Sequence, residues 1–523
     1  MAALLFSINA HAALDASLLK ALAGDDPDAR IVAVNDIAAS GNQEATLILN
    51  GLKNETLYAK DDAVFLLEGD QATALLDGRH GPLPDGAEVI TINNRLRGAL
   101  DSALSGLKLF SAERAVRLSA AVALQKEATP EQLPLLNKAY LKENDPEIKS
   151  LLQMLIATAN LQSSDPALRK AAVKALVDSP NANLKPVLQK MLAQNPDGSY
   201  GEPDESIRVE AVATLNAIDA RISRTEFVGN LFYGISLGSV LLLAALGLAI
   251  TFGLMGIINM AHGELLMIGA YTTYACQLLF RHFFPGALDA YLLLALPAAF
   301  TVSALVGIVL ERTVIRWLYG RPLETLLCTW GISLVLMQGV RSIFGAQNVE
   351  VANPAWMSGG ITVMGSLVLS YNRIIIIFFS LAVVLAVWLI LNKTRLGLFV
   401  RAVTQNRRMA DCVGVPTGKI DMLTFGLGSG IAGLGGVALS QLGNVGPDLG
   451  QSYIVDSFMV VVLGGVGQLA GTVIAAFGLG EVNKFLEPVA GAVMAKIVIL
   501  VFIIVFIQRR PQGLFALKGR SVE

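Results

Sequence analysis

Three residue types able to bind a metal, move a proton or hydrogen-bond a solute stand together in NMAHGELLMIGAYTTY (259–274): Asn259, His262 and Glu264. They follow an apolar run of the length a transmembrane helix needs, roughly 20 residues, and hydrocarbon is a costly place for such groups. One His and one Glu two residues apart do not share a helix face, and no third ligand is evident, so the stretch does not spell a metal site. His11, His80 and His282 are scattered, and no cysteine is placed to help them. What remains is a hinge or a path. Gly253, Gly256 and Gly263 let the backbone break here, and the three polar residues can either satisfy the groups that a break frees or touch a passing solute; the hinge is the favoured role.

The chain that must position these residues is divided in two. Residues 1–226 carry 30 acidic and 22 basic side chains; residues 227–523 carry only 12 and 18. The mean hydropathy of +0.57 therefore averages a polar half and an apolar one. A net charge of −2 gives no reason to expect nucleic acid as a partner. Cys276, Cys328 and Cys412 all lie in the apolar half, so no disulfide framework organises the polar one.

The polar half is expected to be helical over 13–222. GDDPDARIVAV (24–34), NDPEIKSLLQML (144–155), SDPALRKAAVKAL (164–176) and PDESIRVEAVATL (203–215) repeat one opening. An Asp or Ser cap precedes a first turn that often contains proline, and apolar residues then recur at helical spacing. Stacked helix pairs of the HEAT type read this way, although the spacing is irregular. Residues 56–92 are turn-rich and β-prone, and predict a small strand-containing insertion. Nothing in this half pairs catalytic groups; it reads as a binding or docking platform. At the start, AlaHisAla at 10–12 ends a short apolar run like a signal peptide cleaved after Ala12, which makes 1–12 a leader remnant.

The apolar half predicts spans near 231–255, 264–280, 290–311, 325–344, 373–391, 418–440 and 493–507, with two pieces, 455–466 and 470–482, too short for standard spans. Of its 18 basic residues, 13 fall at 312–321, 393–419 and 509–520, which places these loops in the cytoplasm. The polar half then lies on the opposite face, the periplasm of a Gram-negative cell, the C-terminus is cytoplasmic, and 259–264 forms a turn near the cytoplasmic end of the first two spans. The glycine-broken LGGVGQLAG, with Gly464 and Gly465, and the stretch 253–263 are expected to be corresponding interruptions lining a path, since broken helices persist only where the freed backbone is buried or faces water. No Walker A sequence is present, so any ATP-driven motor is a separate subunit. The glycines of GLGSGIAGLGG (426–436) read as helix packing. The basic loop 393–419 contains a short helix-capable run near 406–412, ended by Gly414 and Pro416. It is suited to docking on a soluble motor, or to resting on anionic lipid.

INMAHGELLMIGAY (258–271), ERTVIRWLYGRPLETLLCTWGISLVLMQ (311–338), TRLGLFVRAVTQNRRMADCVGV (394–415), FMVVVLGGVGQLAGTVIAA (458–476) and RRPQGLF (509–515) resemble, in order and spacing, the branched-chain-amino-acid-type ABC permeases over about 227–515. The resemblance implies a mainly α fold, a polytopic helical permease with broken helices behind a soluble HEAT-like domain. It also implies no ATPase site or cofactor in this chain, a second homologous permease subunit, two ATP-binding cassette subunits and a periplasmic substrate-binding protein. ATPase coupling is thereby carried to Arg401, Asn406, Arg407, Arg408, Met409, Ala410, Asp411, Gly414 and Val415. LDASLLKALAGDDPDARIVAVNDIAASG and NNRLRGALDSALSGLKLFS, with the helical repeats, resemble the first permease subunit of urea transporters of this family.

Urea is small and neutral, and each hydrogen bond it forfeits in hydrocarbon costs kcal/mol if unreplaced. A path for it needs amide, hydroxyl and backbone partners. Asn259, Gln338, Gln441, Asn444 and Asn483 are candidates, with His262, Gly263, Glu264, Gly464 and Gly465 as path or hinge residues. An amino-acid importer, a passive urea channel and a membrane-tethered scaffold remain the alternatives. The amino-acid reading would favour charges in the path; the deep charges are few, namely Glu264, Asp456, Glu481, Lys484 and Lys496.

Overall fold

The computed structural model describes residues 16–515 apart from 25, 41–42, 61–62, 70, 78, 125–129, 180–182 and 365–366; the expected leader remnant 1–12 lies outside the described residues. The chain is mainly helical and divides into two compact units, Met1–Ser223 and Arg224–Glu523.

The first unit opens with helices α1 (Ala16–Ala23), α2 (Pro27–Ser40) and α3 (Gln43–Lys53). A five-stranded antiparallel sheet follows, built from β1 (Leu57–Lys60), β2 (Ala63–Glu68), β3 (Gln71–Ala74), β4 (His80–Gly81) and β5 (Glu88–Val89) in the order β4-β3-β2-β1-β5. Then come α4 (Asn94–Leu107), α5 (Arg114–Leu124), α6 (Leu133–Lys142), α7 (Pro146–Asn160), α8 (Pro166–Ala175) and α9 (Leu184–Leu192). Their starts are written in the sequence. Asn93 accepts from the Leu96 amide, Asp145 from those of Glu147 and Ile148, and Asp165 from Ala167, with Pro146 and Pro166 at the first helical position. Each carboxylate or amide satisfies amides that the helix itself leaves open.

One loop motif recurs along these helices. The Arg117, Arg169 and Arg208 guanidiniums each donate to the two carbonyls six and five residues back: Ser111 and Ala112, Ser163 and Ser164, Glu202 and Pro203. Arg117 also grips Glu143 at 2.8 Å and Arg169 grips Glu202 with two bonds of 2.8 Å. The Arg169 guanidinium holds the Glu202 carboxyl below the usual carboxylate range.

Helix α10 (Glu205–Met255) contributes residues to both units. The second unit continues with α11 (His262–Phe283), α12 (Tyr291–Thr313), α13 (Pro322–Phe344), a hairpin of β6 (Gly360–Val363) and β7 (Leu367–Ser370), α14 (Tyr371–Lys393), α15 (Arg395–Gln405), α16 (Arg407–Cys412), α17 (Thr417–Ser440), α18 (Leu449–Gly464), α19 (Leu469–Ala490) and α20 (Ala492–Arg509). Seven of the described helices, α10, α12, α13, α14, α17, α19 and α20, are long and apolar enough to cross a membrane; α11, expected as a span at 264–280, is not among them, and α18 is a shorter apolar helix of 16 residues. α11, α12 and α17 pack on one another through small residues. The expectation that 470–482 is a short piece is corrected: α19 runs 22 residues. Glu481, Lys484 and Glu487 interrupt the apolar run without interrupting the helix, and Lys484 pairs with Glu487 one turn on.

Candidate translocation path and coupling face

α10 ends at Met255, and Gly256 turns the chain with a φ of 70°, a backbone conformation that suits glycine. The chain then doubles back. His262, the first residue of α11, donates from Nε2 to the Ala244 carbonyl at 2.9 Å, about three turns before the end of α10. The expectation of a turn near the end of the first span therefore fits the Gly256 corner but not His262 and Glu264, which lie much deeper. Apolar length alone cannot register a segment that folds back along the preceding helix.

The returning segment is held by side chains from a third helix. The Asn259 carboxamide accepts from the Ala261 amide at 3.0 Å. Thr329 Oγ1 accepts from the Met260 amide at 3.1 Å, and one turn later Ser333 Oγ donates to Glu264 Oε1 at 2.9 Å. Thr325, Thr329 and Ser333 form a buried polar row along α13, a helix whose other faces are largely exposed. Asn259, His262 and Glu264 are all buried. The partners were not evident in the sequence because they are remote in the chain; a Thr-x-x-x-Thr-x-x-x-Ser row in an apolar helix was the available signal.

The second interruption meets the first. A Cβ on Gly263 would strike the Gly450 carbonyl, so α18 begins against the first turn of α11, and Gly467 lies against Gly253 in the same way. Gly464, at the end of α18, packs on Gly471, and Gly465 follows with a φ of 100°. Both expected breaks are thus in backbone contact.

Beside them, a cavity of about 380 Å³ is lined by Asn348, Arg373, Asn444, Asp448, Ser452 and Lys484, among others. Of the sequence candidates, Asn444 alone lines it. Gln441 is buried elsewhere: Nε2 donates to the Tyr291 hydroxyl at 3.0 Å, and its own carbonyl accepts from Asn372. Gln338 is exposed on the outer face of α13, and Asn483 is half-buried on α19. Arg373 and Asp448, missed from sequence, enter because they open α14 and α18 at the cavity wall. Lys496 pairs with Asp456 at 3.1 Å. Among the described residues no group of His, Cys, Asp and Glu is placed to hold a metal ion.

At the opposite end of α17 the basic loop forms two short helices. Asn406 caps α16 by accepting from the Met409 amide at 2.9 Å, and Gly414, with a φ of 85°, ends the turn after it. Ala410 packs into a small core with Val400, Val403 and Ile420, which Leu254 and Val415 also touch. Arg401, Arg408, Met409 and Asp411 point outward. Arg407 is also exposed, but its guanidinium reaches the buried Asp421 of α17 and lies over the Tyr319 ring, whose hydroxyl donates to buried Glu311 at 3.4 Å. Glu311 and Asp421 are two further buried acids, visible in sequence as single acids at the ends of apolar runs.

Broken apolar helices around a polar cavity, with a capped basic face attached, define a polytopic membrane permease. The family described as branched-chain amino acid transport system, permease component, matches residues 230–507, and the chain belongs to it. Similar proteins include the high-affinity branched-chain amino acid permease BraD of Pseudomonas aeruginosa, 29% identical over 295 residues, which are 55% of this chain and 95% of the relative. LivH of Escherichia coli is 28% identical over the same shares. The ribose import permease RbsC of Escherichia coli is 25% identical over 53% of this chain and 84% of its own. No solved structure matches the chain.

Proposed function

We propose that the chain is one permease subunit of an ATP-driven importer for urea or short-chain amides. In this reading it lies in a bacterial inner membrane, with the N-terminal unit periplasmic and the C-terminus cytoplasmic. It forms half of a path with a second homologous permease. It is fed by a periplasmic binding protein, and through 393–419 it meets one of two separate ATPase subunits.

The observation that carries the solute class is the wall of the cavity. Its cations are already engaged: Arg373 bonds Ser236 at 3.3 Å and lies 5.1 Å from the Tyr233 ring, and Lys484 pairs with Glu487. The amides of Asn348 and Asn444 and the Ser452 hydroxyl are neutral donors and acceptors in the same wall, matched to a solute with a carbonyl and several N–H groups. The N-terminal likeness to urea transporter subunits supports the same reading. The basic-loop distribution supports the orientation, and Arg407 anchored on Asp421 beside a freely exposed Arg408 supports docking.

A second reading, import of a branched-chain amino acid, is favoured by Asp448 in the cavity wall and by the names of the relatives. Uptake of labelled urea and labelled leucine by cells carrying or lacking the gene separates them. Loss of leucine uptake on deletion, with urea uptake intact, overturns the urea reading. Urea uptake that survives ATP depletion overturns the ATP-driven one.

A further inference from the structure

The hinge at 256–264 leaves specific hydrogen-bonding capacity unused. Glu264 is 1% exposed; Ser333 satisfies Oε1, but Oε2 has no partner among the described residues. Tyr271, two turns further along the same face of α11, is 2% exposed and its hydroxyl is likewise open. Its ring sits 4.8 Å from Phe344, at the end of the helix that carries Ser333. Asn259 is fully buried; its oxygen is used, but Nδ2 is open. A buried polar atom left unpaired is costly, so several of them along one helix call for a reason.

The surroundings supply one. The first turn of α18 lies against Gly263 and the Glu264 amide with no side chain between. Asp448, which directly precedes α18, lines the cavity. Glu264 therefore adjoins the place where the two interrupted helices meet, with Asn259 before it and Tyr271 after it in the chain; none of the three lines the cavity itself. His262 commits Nε2 to Ala244, which fastens the hinge, while its Nδ1 is a further open atom at the start of α11.

We infer that Asn259, Glu264 and Tyr271 form a buried binding station on the path for a solute that carries a carbonyl flanked by N–H groups. Asn259 Nδ2 donates to the carbonyl, Glu264 Oε2 accepts from an N–H, and the Tyr271 hydroxyl serves either. Ser333 is a positioning residue that fixes the rotation of the Glu264 carboxyl. The inference rests on the permease reading and names the group chemistry that its solute must have.

The test uses the complete transporter reconstituted in proteoliposomes with ATP, with labelled urea, acetamide and leucine as probes. Glu264→Gln keeps an oxygen for Ser333 but presents donors where the solute needs an acceptor. It is expected to raise the KM of the transported solute about tenfold, the equivalent of one lost hydrogen bond, with little change in kcat. Tyr271→Phe is expected to raise it less, and Ser333→Ala to act in the same direction. Copurification with the partner subunits and an unchanged Tm show that the variants assemble. Assembled Glu264→Gln and Tyr271→Phe transporters whose KM values stay within twofold of wild type overturn the station. A variant that fails to assemble is replaced by Ser333→Ala, read against the same KM criterion. The two readings fail separately: a wild type that carries leucine and neither amide overturns both urea import and the group chemistry assigned to the station, whereas amide transport with unchanged KM values in Glu264→Gln and Tyr271→Phe overturns the station alone.

Discussion

The two units hold themselves together by opposite means. In the first, contacts between loops and helices run through long charged side chains: Arg117 to Glu143, Arg169 to Glu202, and Asp145 and Asp165 over helix starts. In the second, the central contacts run through residues with no side chain at all, Gly263 on Gly450 and Gly253 on Gly467. The difference follows from the surroundings. In water, apolar burial drives helices together, and polar clamps fix the register of the turns. In lipid, that drive is absent, and close backbone approach with many small dispersion contacts replaces it. A polar clamp tolerates a conservative change; a backbone contact tolerates almost none.

This contrast can be broken at several points. The largest effect is expected from Gly263→Leu, whose side chain has no room against Gly450: uptake and assembly with partner subunits are both lost, as measured by transport and copurification. Next is Asp421→Ala, which removes the buried partner of Arg407. Uptake is expected to fall about tenfold, roughly the 1.4 kcal/mol of a charge-assisted hydrogen bond, and solute-stimulated ATPase activity to fall with it. Arg408→Glu, at an exposed position, is expected to lower stimulated ATPase activity while leaving Tm unchanged. If Arg408→Glu has no effect and Asp421→Ala only shifts Tm, the roles assigned to Arg407 and Arg408 are wrong.

In the first unit, Arg169→Ala leaves Glu202, 4% exposed, without its cation. A loss of about 3 kcal/mol in the unfolding of that unit is expected, and Arg169→Ala with Glu202→Gln should recover part of it. The pH dependence gives a sharper reading. The folded carboxyl of Glu202 titrates below its ordinary value of 4.5. Its stabilisation is therefore full above that value and lost as pH falls below it. Melting temperature against pH should show this acid limb in the wild type, flattened in Arg169→Ala. The smallest effect is expected from Asp165→Ala, about 1 kcal/mol for one helix cap, read by the same melts.

The parts legible in the sequence were local. Asp-Pro openings announced α7 and α8, apolar length announced six of the seven membrane-length helices but not α19, and glycines at 253, 256 and 263 announced a break. The parts that were not legible depend on which distant residues meet. Nothing near Glu264 names Ser333 as its partner, and nothing near Gln441 says that Tyr291 and Asn372 occupy it. Arg407 and Arg408 are exposed neighbours of one type in one basic loop, yet Arg407 is paired with the buried Asp421, from the following helix, and nothing near either residue in the sequence announces that partner. The depth of His262 was missed because hydropathy counts residues along the chain and not the direction in which they travel.

Where Gly263 meets Gly450 and Gly253 meets Gly467, there are no interleaved side chains to be unlocked before one surface can slide along the other. Interleaved cores are bistable because each rotamer must clear its neighbours; a smooth contact yields to a gentler push. The interrupted helices can therefore move along one another as in a bearing, with no side chains to be repacked on the way.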